Sequence, residues 1–141
     1  MKKGKVEWSL TESAAANARQ ALPELLRQFC ASGDRLIEEQ APPAKLHQLR
    51  LEGKHLRYTF EIFTAIYGPR MNDLMKILKE TQGYLGDISD ATATGTWLKQ
   101  QHIQKEPESQ QLAVFLDHRA NKLAQEFRQF WDTHWGLPEY R

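Results

Sequence analysis

Apolar residues recur at helical spacing along most of this chain, and the pattern predicts four amphipathic helices. Residues three or four apart lie on one face of an α-helix, so apolar residues at that spacing are typical of a helix that faces a core. The predicted fold class is all-α, an antiparallel up-down four-helix bundle in which residues 1–141 form a single helical domain. The predicted helices cover about residues 10–40, 43–67, 69–100 and 107–135.

Each predicted helix has its own apolar line, and these lines identify the residues expected in the core. Each line continues in phase through its segment, which favours a few long helices over many short ones. In chain order, the expected core residues are Ala15, Ala18, Leu22, Leu25, Phe29 and Leu36, then Leu49, Leu56, Phe60, Phe63 and Tyr67, then Leu74, Leu78, Thr81, Leu85 and Ile88, and finally Leu112, Leu116, Leu123, Phe127 and Phe130.

Capping residues and prolines predict where these helices begin and end. Ser9 and Glu12 match a capping box, which places the start of the first helix at Ser9. The first apolar line continues in phase across Pro23, so we expect a kink there rather than a break. Proline suits the first turn of a helix because its missing N–H would be unpaired there. The prolines expected to begin the later helices are Pro43, Pro69 and Pro107.

A second line of residues on the second helix is basic. His47, Arg50, Lys54 and Arg57 fall within an arc of roughly 80° beside the apolar line. The whole chain has 19 Lys and Arg against 18 Asp and Glu, so it lacks the global positive field of a general nucleic-acid binder. From Lys45 to Arg57, however, there are four Lys or Arg residues and one Glu, without counting the histidines. Like charges concentrated in this way indicate an anion-binding surface.

The third and fourth helices have further basic residues next to their apolar lines. On the third helix, Lys79 shares one side with two glycines and Asp90. On the fourth helix, Arg119 is expected on the apolar line itself, with Lys122 nearby. A guanidinium that faces a core needs an acidic or anionic partner, because an unpaired buried charge is costly.

Two interpretations of these basic residues are open at this point. In the first, the basic side chains are solvated and Arg119 pairs inside the bundle with Asp87, Asp90 or Glu61. In the second, the basic lines of three helices converge on one groove, and Tyr58 is a core aromatic whose hydroxyl reaches the groove edge. Glycines inside the helices would allow either close helix packing or close approach of a ligand.

Glu52 and His55 have the Glu-x-x-His spacing of di-iron bundles, which is one indication of a metal site. Such bundles need two of these motifs and two further inward carboxylates, and this sequence has one motif. Lys54 lies inside the motif and would repel a cation. We therefore expect no metal and no cofactor.

Cys30 is the only cysteine, and we expect it to be a small core residue rather than a nucleophile. A lone cysteine forms no internal disulfide, which fits a reducing compartment. No apolar run of signal-peptide type follows the basic N-terminal residues, and no window approaches a membrane span. The sequence thus predicts a cytoplasmic protein that does not enter a membrane.

Two motifs resemble the signatures of the CHAD family, the conserved histidine α-helical domain. The first is His47-x-x-Arg50-x-x-x-Lys54-x-x-Arg57-Tyr58-x-x-Glu61, and the second is Leu78-Lys79-x-x-Gln82-x-x-Leu85-Gly86-x-x-x-Asp90. Together they cover about residues 44–98, and the predicted helices on either side fit the helical bundle of that family.

This resemblance implies a non-catalytic domain that binds inorganic polyphosphate along a basic surface. It implies that the basic residues of the two motifs face the polyanion, and helical phase alone adds two candidates from the fourth helix. We therefore expect no catalytic residue. The candidate polyphosphate-binding residues are His47, Arg50, Lys54, Arg57 and Lys79 from the motifs, with Arg119 and Lys122 from helical phase.

Some features depart from the family pattern. His55 stands where the family commonly has an arginine, Ser89 replaces a frequent asparagine, and a net charge of +1 is low for the family. The full domain of the family is similar to two four-helix halves, and this chain resembles the C-terminal half. Either the chain is a fragment, or two copies associate as a homodimer that completes the surface, and the dimer is the expectation.

Three other functions are open at this point. A nucleic-acid-binding helical module would use the same positive charges and would normally add stacking aromatics. A metal-dependent bundle enzyme would need inward carboxylates and histidines. A purely structural interaction domain would bury the basic line in a contact between subunits.

Overall fold

Four α-helices make up most of the described chain in the computed structural model, which describes residues 6–101 and 106–136. They are α1 (Ala14–Glu38), α2 (Leu46–Tyr67), α3 (Asn72–Gln100) and α4 (Pro107–His134). Two short 3₁₀ turns, Pro43–Lys45 and Gly68–Met71, lead into α2 and α3. The predicted all-α class is confirmed, and the prolines mark the starts of the last three helical segments as expected.

The first helix starts later than its sequence suggests. The predicted N-cap at Ser9 is wrong, because α1 begins at Ala14 and is capped by the Ser13 hydroxyl, which accepts from the Ala16 N–H at 3.2 Å. The Asn17 side chain binds both backbone groups of Ser9, accepting from its N–H and donating to its carbonyl, each at 2.8 Å. These bonds hold Ser9 outside the helix, and the Ser13 hydroxyl accepts from one of the first-turn N–H groups instead.

Helices α3 and α4 run antiparallel, as contacts near both ends show. Near the C-terminus of α3, the Lys99 ammonium lies 3.1 Å from the Asp117 carboxylate of α4. Toward the other end, Trp135 Nε1 donates to Thr81 Oγ1 at 3.0 Å inside the core. A buried indole N–H needs an acceptor, so this hydrogen bond fixes the register of the two helices.

Helix α2 packs between α1 and α3. A Cβ at Gly53 would lie 3.3 Å from the ring of Phe29, so the glycine lets α1 approach α2 closely. On the other side, His47 in the first turn of α2 lies next to Ser89 in the C-terminal half of α3. Contacts between the start of one helix and the later part of the next indicate that α2 and α3 are antiparallel as well.

An aromatic cluster joins α1 to the C-terminal half of α4. The Phe29 ring centroid is 5.5 Å from that of Trp131 and 5.1 Å from that of Trp135. Trp131 Nε1 donates to Asp34 Oδ1 at 2.9 Å. Both tryptophans are fully buried, although the apolar line predicted for this helix ends before them. They are the largest buried side chains of the described core, so α4 contributes strongly to its packing.

The buried face of α4 overlaps the predicted line, since Phe127 and Phe130 are buried as predicted, but it is shifted from that line in the first half of the helix. Leu112 and Arg119 were expected on the core line, but both are exposed. Two alanines, Ala120 and Ala124, occupy the buried positions instead, and Gly95 faces this part of α4 from α3. Small residues on the buried side allow close helix packing, and Arg119 next to them faces outward.

Gly33 lies where α1 touches the Trp131 ring, and its substitution should destabilise the fold. A Cβ at Gly33 would overlap the ring carbons of Trp131, and the fully buried indole cannot relieve this overlap without repacking. We expect Gly33→Ala to lower the free energy of unfolding by about 1–3 kcal/mol, in spite of the better helix propensity of alanine. Urea unfolding followed by far-UV circular dichroism measures the change.

Gly83→Ala is the matched control for this substitution, because a Cβ there would meet nothing within 4 Å. Alanine replaces glycine inside a helix in both variants, so the propensity gain of up to about 1 kcal/mol is shared. We expect Gly83→Ala to keep or raise the stability. Equal effects of the two substitutions would contradict the packing described for Gly33.

Candidate functional site

Three basic residues of α2 and one amide of α3 border a common pocket. The pocket has a volume of about 200 Å³ and is lined by Arg50, Lys54, Arg57 and Gln82. The basic residues are spaced by four and three positions, so successive helical turns direct them to the same side of α2. All four side chains supply hydrogen-bond donors, and three are cations, which makes the pocket suited to an oxyanion.

Arg57 is the most constrained of the three cations. Its side chain is 26% exposed, and its Nε lies 3.6 Å from Glu61 Oε1, one helical turn away. That distance is too long for a hydrogen bond, and the buried Nε–H has no acceptor among the described residues. A buried donor without an acceptor is costly, so an anion that reached this N–H would gain both the hydrogen bond and the relief of that cost.

Tyr58 lies at the edge of the basic pocket, exposed to solvent. The expectation that it is a core aromatic is wrong, because nine residues at about 100° each place it opposite Leu49, which is buried. The Arg57 Cζ lies 5.1 Å and the Lys54 Nζ 5.9 Å from the centroid of the Tyr58 ring. Contact with an aromatic face partly offsets the repulsion between the two cations and holds them near each other.

His47 is exposed at the start of α2, one turn before Arg50. Its Nδ1 lies 3.4 Å from the Ser89 hydroxyl of α3, in a weak contact whose donor depends on the histidine tautomer. His47 also borders an open depression at the ends of α1 and α2, together with Arg35 and Lys45. It therefore sits at one end of the basic line rather than inside the pocket.

On α3, the surface near the pocket is open. Lys79 is exposed one helical turn before Gln82, and a Cβ at Gly83 or Gly86 would meet nothing within 4 Å. Packing explains Gly53, as described above, but it does not explain these two glycines. Without side chains there, the backbone of α3 is accessible to a ligand that lies across the helix.

Arg119 and Lys122 are both exposed on α4. The residues that line the pocket come from α2 and α3, and α4 packs mainly against α3. An exposed Arg119 does not require a buried acidic partner, so the interpretation that it pairs inside the bundle does not apply. That these two residues contact the same ligand as the α2 residues stays a prediction.

Two residues next to the basic line are not among the site residues predicted from the sequence. Gln82 lines the pocket, and Ser89 contacts His47. They are seven residues apart on α3 and so lie on the same side of the helix, the side that faces α2. Their seven-residue spacing, close to Lys79, is a sequence signal that they share a face of α3. Only the packing of α2 against α3 shows that this face borders the pocket.

The Glu-x-x-His pair lies in a different place. Glu52 and His55 line a shallow, largely apolar pocket between α1 and α2, together with Leu25 and Phe29. Within residues 6–101 and 106–136, no three His, Cys, Asp or Glu side chains are grouped so that they could hold a metal ion. A search of the same residues for a helix with the length and apolar character to cross a membrane found none.

Comparison with known protein families gives one match. The model of the CHAD domain family matches residues 3–99, about two thirds of the chain. The matched range contains both motifs and all of α1 and α2, and it ends one residue before the end of α3, so Arg119 and Lys122 lie outside it. Comparisons with curated proteins and with solved structures find no match.

Proposed function

The chain belongs to the CHAD family, and from that premise we propose that it binds inorganic polyphosphate, or a related phosphate polyanion, without reacting with it. The observation that supports the proposal most is the pocket, where Arg50, Lys54 and Arg57 meet Gln82 in a chain whose net charge is only +1. A local cluster of donors in a nearly neutral chain favours one specific anion over general charge attraction.

The donor types suit a linear phosphate polymer. Guanidinium groups bind phosphate oxygens in a forked geometry, and lysine binds them as a point charge. Each charge-assisted hydrogen bond contributes about 1.5–3 kcal/mol before desolvation and side-chain ordering are subtracted, so a few contacts are enough for useful affinity. Because the lining side chains are donors rather than a nucleophile and its base, the pocket suits binding better than catalysis.

The test of this proposal is a titration with long-chain polyphosphate at two salt concentrations. Polyanion binding releases counterions, so we expect the dissociation constant to rise steeply with salt, by about tenfold or more between 50 and 200 mM for several phosphate contacts. Isothermal titration calorimetry measures it. An affinity that does not change with salt, or no binding at either concentration, would overturn the proposal.

Nucleic-acid binding is the second candidate, and the exposed ring of Tyr58 favours it. Single-stranded nucleic acids stack bases on aromatic side chains that lie next to cations, and Tyr58 lies beside Lys54 and Arg57. Competition between polyphosphate and single-stranded RNA separates the two functions. If Tyr58→Leu weakens RNA binding and leaves polyphosphate binding unchanged, RNA contacts the ring and polyphosphate does not.

The proposal includes the assembly and the compartment as well. Because the chain resembles one half of a full family domain, we propose that two copies associate and bind the polyanion together. The single cysteine, Cys30, is buried and not in a disulfide, which fits the reducing cytoplasm as the place of this activity.

A further inference from the structure

Helix α2 has a second apolar line, on the side opposite the core. Its four members are Leu51, Tyr58, Ile62 and Ile66, and all four are exposed, Ile62 by 73%. Their spacing of seven, four and four residues places them on one stripe, about 22 Å long at 1.5 Å per residue. We call this set the outer stripe.

The outer stripe adjoins the basic line. On the helix, the two lines are separated by roughly 90°, and Tyr58 lies at the boundary, in contact with Lys54 and Arg57. A solvated helix face would normally be polar, whereas the outer stripe exposes isoleucine, leucine and tyrosine, with His55 as the polar residue among them. Neighbouring exposed apolar residues beside a binding pocket are a candidate contact with another protein surface.

We propose that the outer stripe is the contact between two copies of this chain, arranged antiparallel about a twofold axis perpendicular to α2. The inference deepens the proposed function, since it identifies the partner surface on which that function would depend. A single stripe with comparable apolar residues at both ends is self-complementary in this arrangement. Leu51 of one copy then lies level with Ile66 of the other, and the two Tyr58 side chains meet near the axis.

The symmetry of the dimer determines whether the two basic lines lie on the same side of the contact or on opposite sides. In a parallel dimer, the twofold axis runs along the helices and places the basic lines on opposite sides of the contact. In the antiparallel dimer, the axis is perpendicular to both helices, and both basic lines lie on the same side. The two basic lines are then placed one after the other along the contact and together extend over about 35 Å, at 1.5 Å per residue. This length suits a long linear polyanion.

Charge complementarity at the centre supports the antiparallel arrangement. Pairing Leu51 with Ile66 places Glu61 of each copy level with residue 56 of the other, one residue away from Arg57. Glu61 already lies near Arg57 of its own chain, and in the dimer the second Glu61 would lie at the level of the same basic line. In a parallel pairing at the same stripe, each Glu61 would lie on the side of the contact away from the partner's basic line and would meet none of its cations.

The test begins with the oligomeric state in the absence of polyphosphate, measured by sedimentation velocity on Ile62→Asp and on a matched control. Val114→Asp is the control, because Val114 is also an exposed apolar residue but lies on α4. We expect the parent chain and Val114→Asp to be dimers and Ile62→Asp to be a monomer with an unchanged helical circular dichroism spectrum. A monomeric parent chain, or a dimeric Ile62→Asp, would overturn the proposal; Ile62→Ser replaces Ile62→Asp if the latter does not fold.

Disulfide cross-linking distinguishes the two symmetries in a Cys30→Ala background. Mixing Leu51→Cys with Ile66→Cys protein should give the mixed disulfide dimer in the antiparallel arrangement, because these positions are level only there. Leu51→Cys alone should cross-link efficiently only in a parallel dimer. Cross-linking of Leu51→Cys to itself, without the mixed product, would overturn the antiparallel arrangement.

Polyphosphate titrations distinguish a failure of this inference from a failure of the proposed function. We expect Ile62→Asp to bind long-chain polyphosphate about tenfold or more weakly than Val114→Asp, since the longer track is lost, and to bind tripolyphosphate equally well. A dimer that binds no polyphosphate supports the contact and refutes the proposed function. A monomer that binds polyphosphate supports the proposed function and refutes the contact.

Discussion

Replacing Lys54 and Arg57 together with alanine is expected to weaken polyphosphate binding by about 100-fold at moderate salt. The two side chains line the pocket with Arg50 and contact the same Tyr58 ring, so their loss removes two of its three cations. Two charge-assisted hydrogen bonds would be worth about 3–6 kcal/mol, and partial exposure reduces this to about 3 kcal/mol. At 25 °C, 1.4 kcal/mol corresponds to a factor of ten in the dissociation constant.

The control for this variant removes the same charge from another helix. Arg19 and Arg27 are exposed on α1, and Arg27 is paired with Glu24 at 3.0 Å. We expect Arg19→Ala/Arg27→Ala to change the affinity by less than about threefold, because exposed charges far from the ligand are screened. Equal losses in the two double variants would mean that net charge, rather than the pocket, determines binding. Calorimetric titration of both variants at one salt concentration measures the difference.

The helices and the basic line could be read from the sequence because both follow from local periodicity. Apolar spacing and prolines located the last three helical segments, and helical phase alone put Arg50, Lys54 and Arg57 on one side of α2. The pocket itself depends on how α2 packs against α3. For that reason Gln82 became a lining residue only with the structure.

The wrong predictions for α4 and for Tyr58 concern helices whose sequence allows more than one face to be buried. In α4, apolar residues occupy two neighbouring rows, and the row that contains Ala120, Ala124 and Trp131 is fully buried. Arg119 was consequently turned outward. On α2, the interpretation with a converging groove puts Tyr58 in the core, although its phase relative to Leu49 places it on the opposite side, where it is exposed. Periodicity defines a face, and only packing shows which face is covered.

The largest expected loss of stability comes from Trp131→Ala. Trp131 is 1% exposed, its ring packs against Phe29, Phe127 and Trp135, and its Nε1 donates to Asp34. Truncating a buried tryptophan removes apolar contacts and leaves a cavity, at a cost of about 3–5 kcal/mol. Since domains are stable by only about 5–15 kcal/mol, this variant should be close to unfolding. Urea unfolding followed by far-UV circular dichroism measures the loss.

Trp97→Ala is the matched control, because Trp97 is 54% exposed on α3. We expect it to change the free energy of unfolding by less than about 1 kcal/mol. Similar losses in the two variants would contradict the view that α4, which lies outside the matched family region, is part of the core that supports the site.

Trp131 is connected to the pocket through two contacts. It packs against Phe29, and Phe29 approaches α2 at Gly53, the residue before Lys54. Folding of α4 onto α1 therefore helps to hold the basic line in place. A ligand that binds only the folded state should restore part of the lost stability, about 2.7 kcal/mol at a concentration 100 times the dissociation constant. We thus expect saturating polyphosphate to raise the urea midpoint of Trp131→Ala, and no rise would show that the pocket is not formed by the fold that Trp131 stabilises.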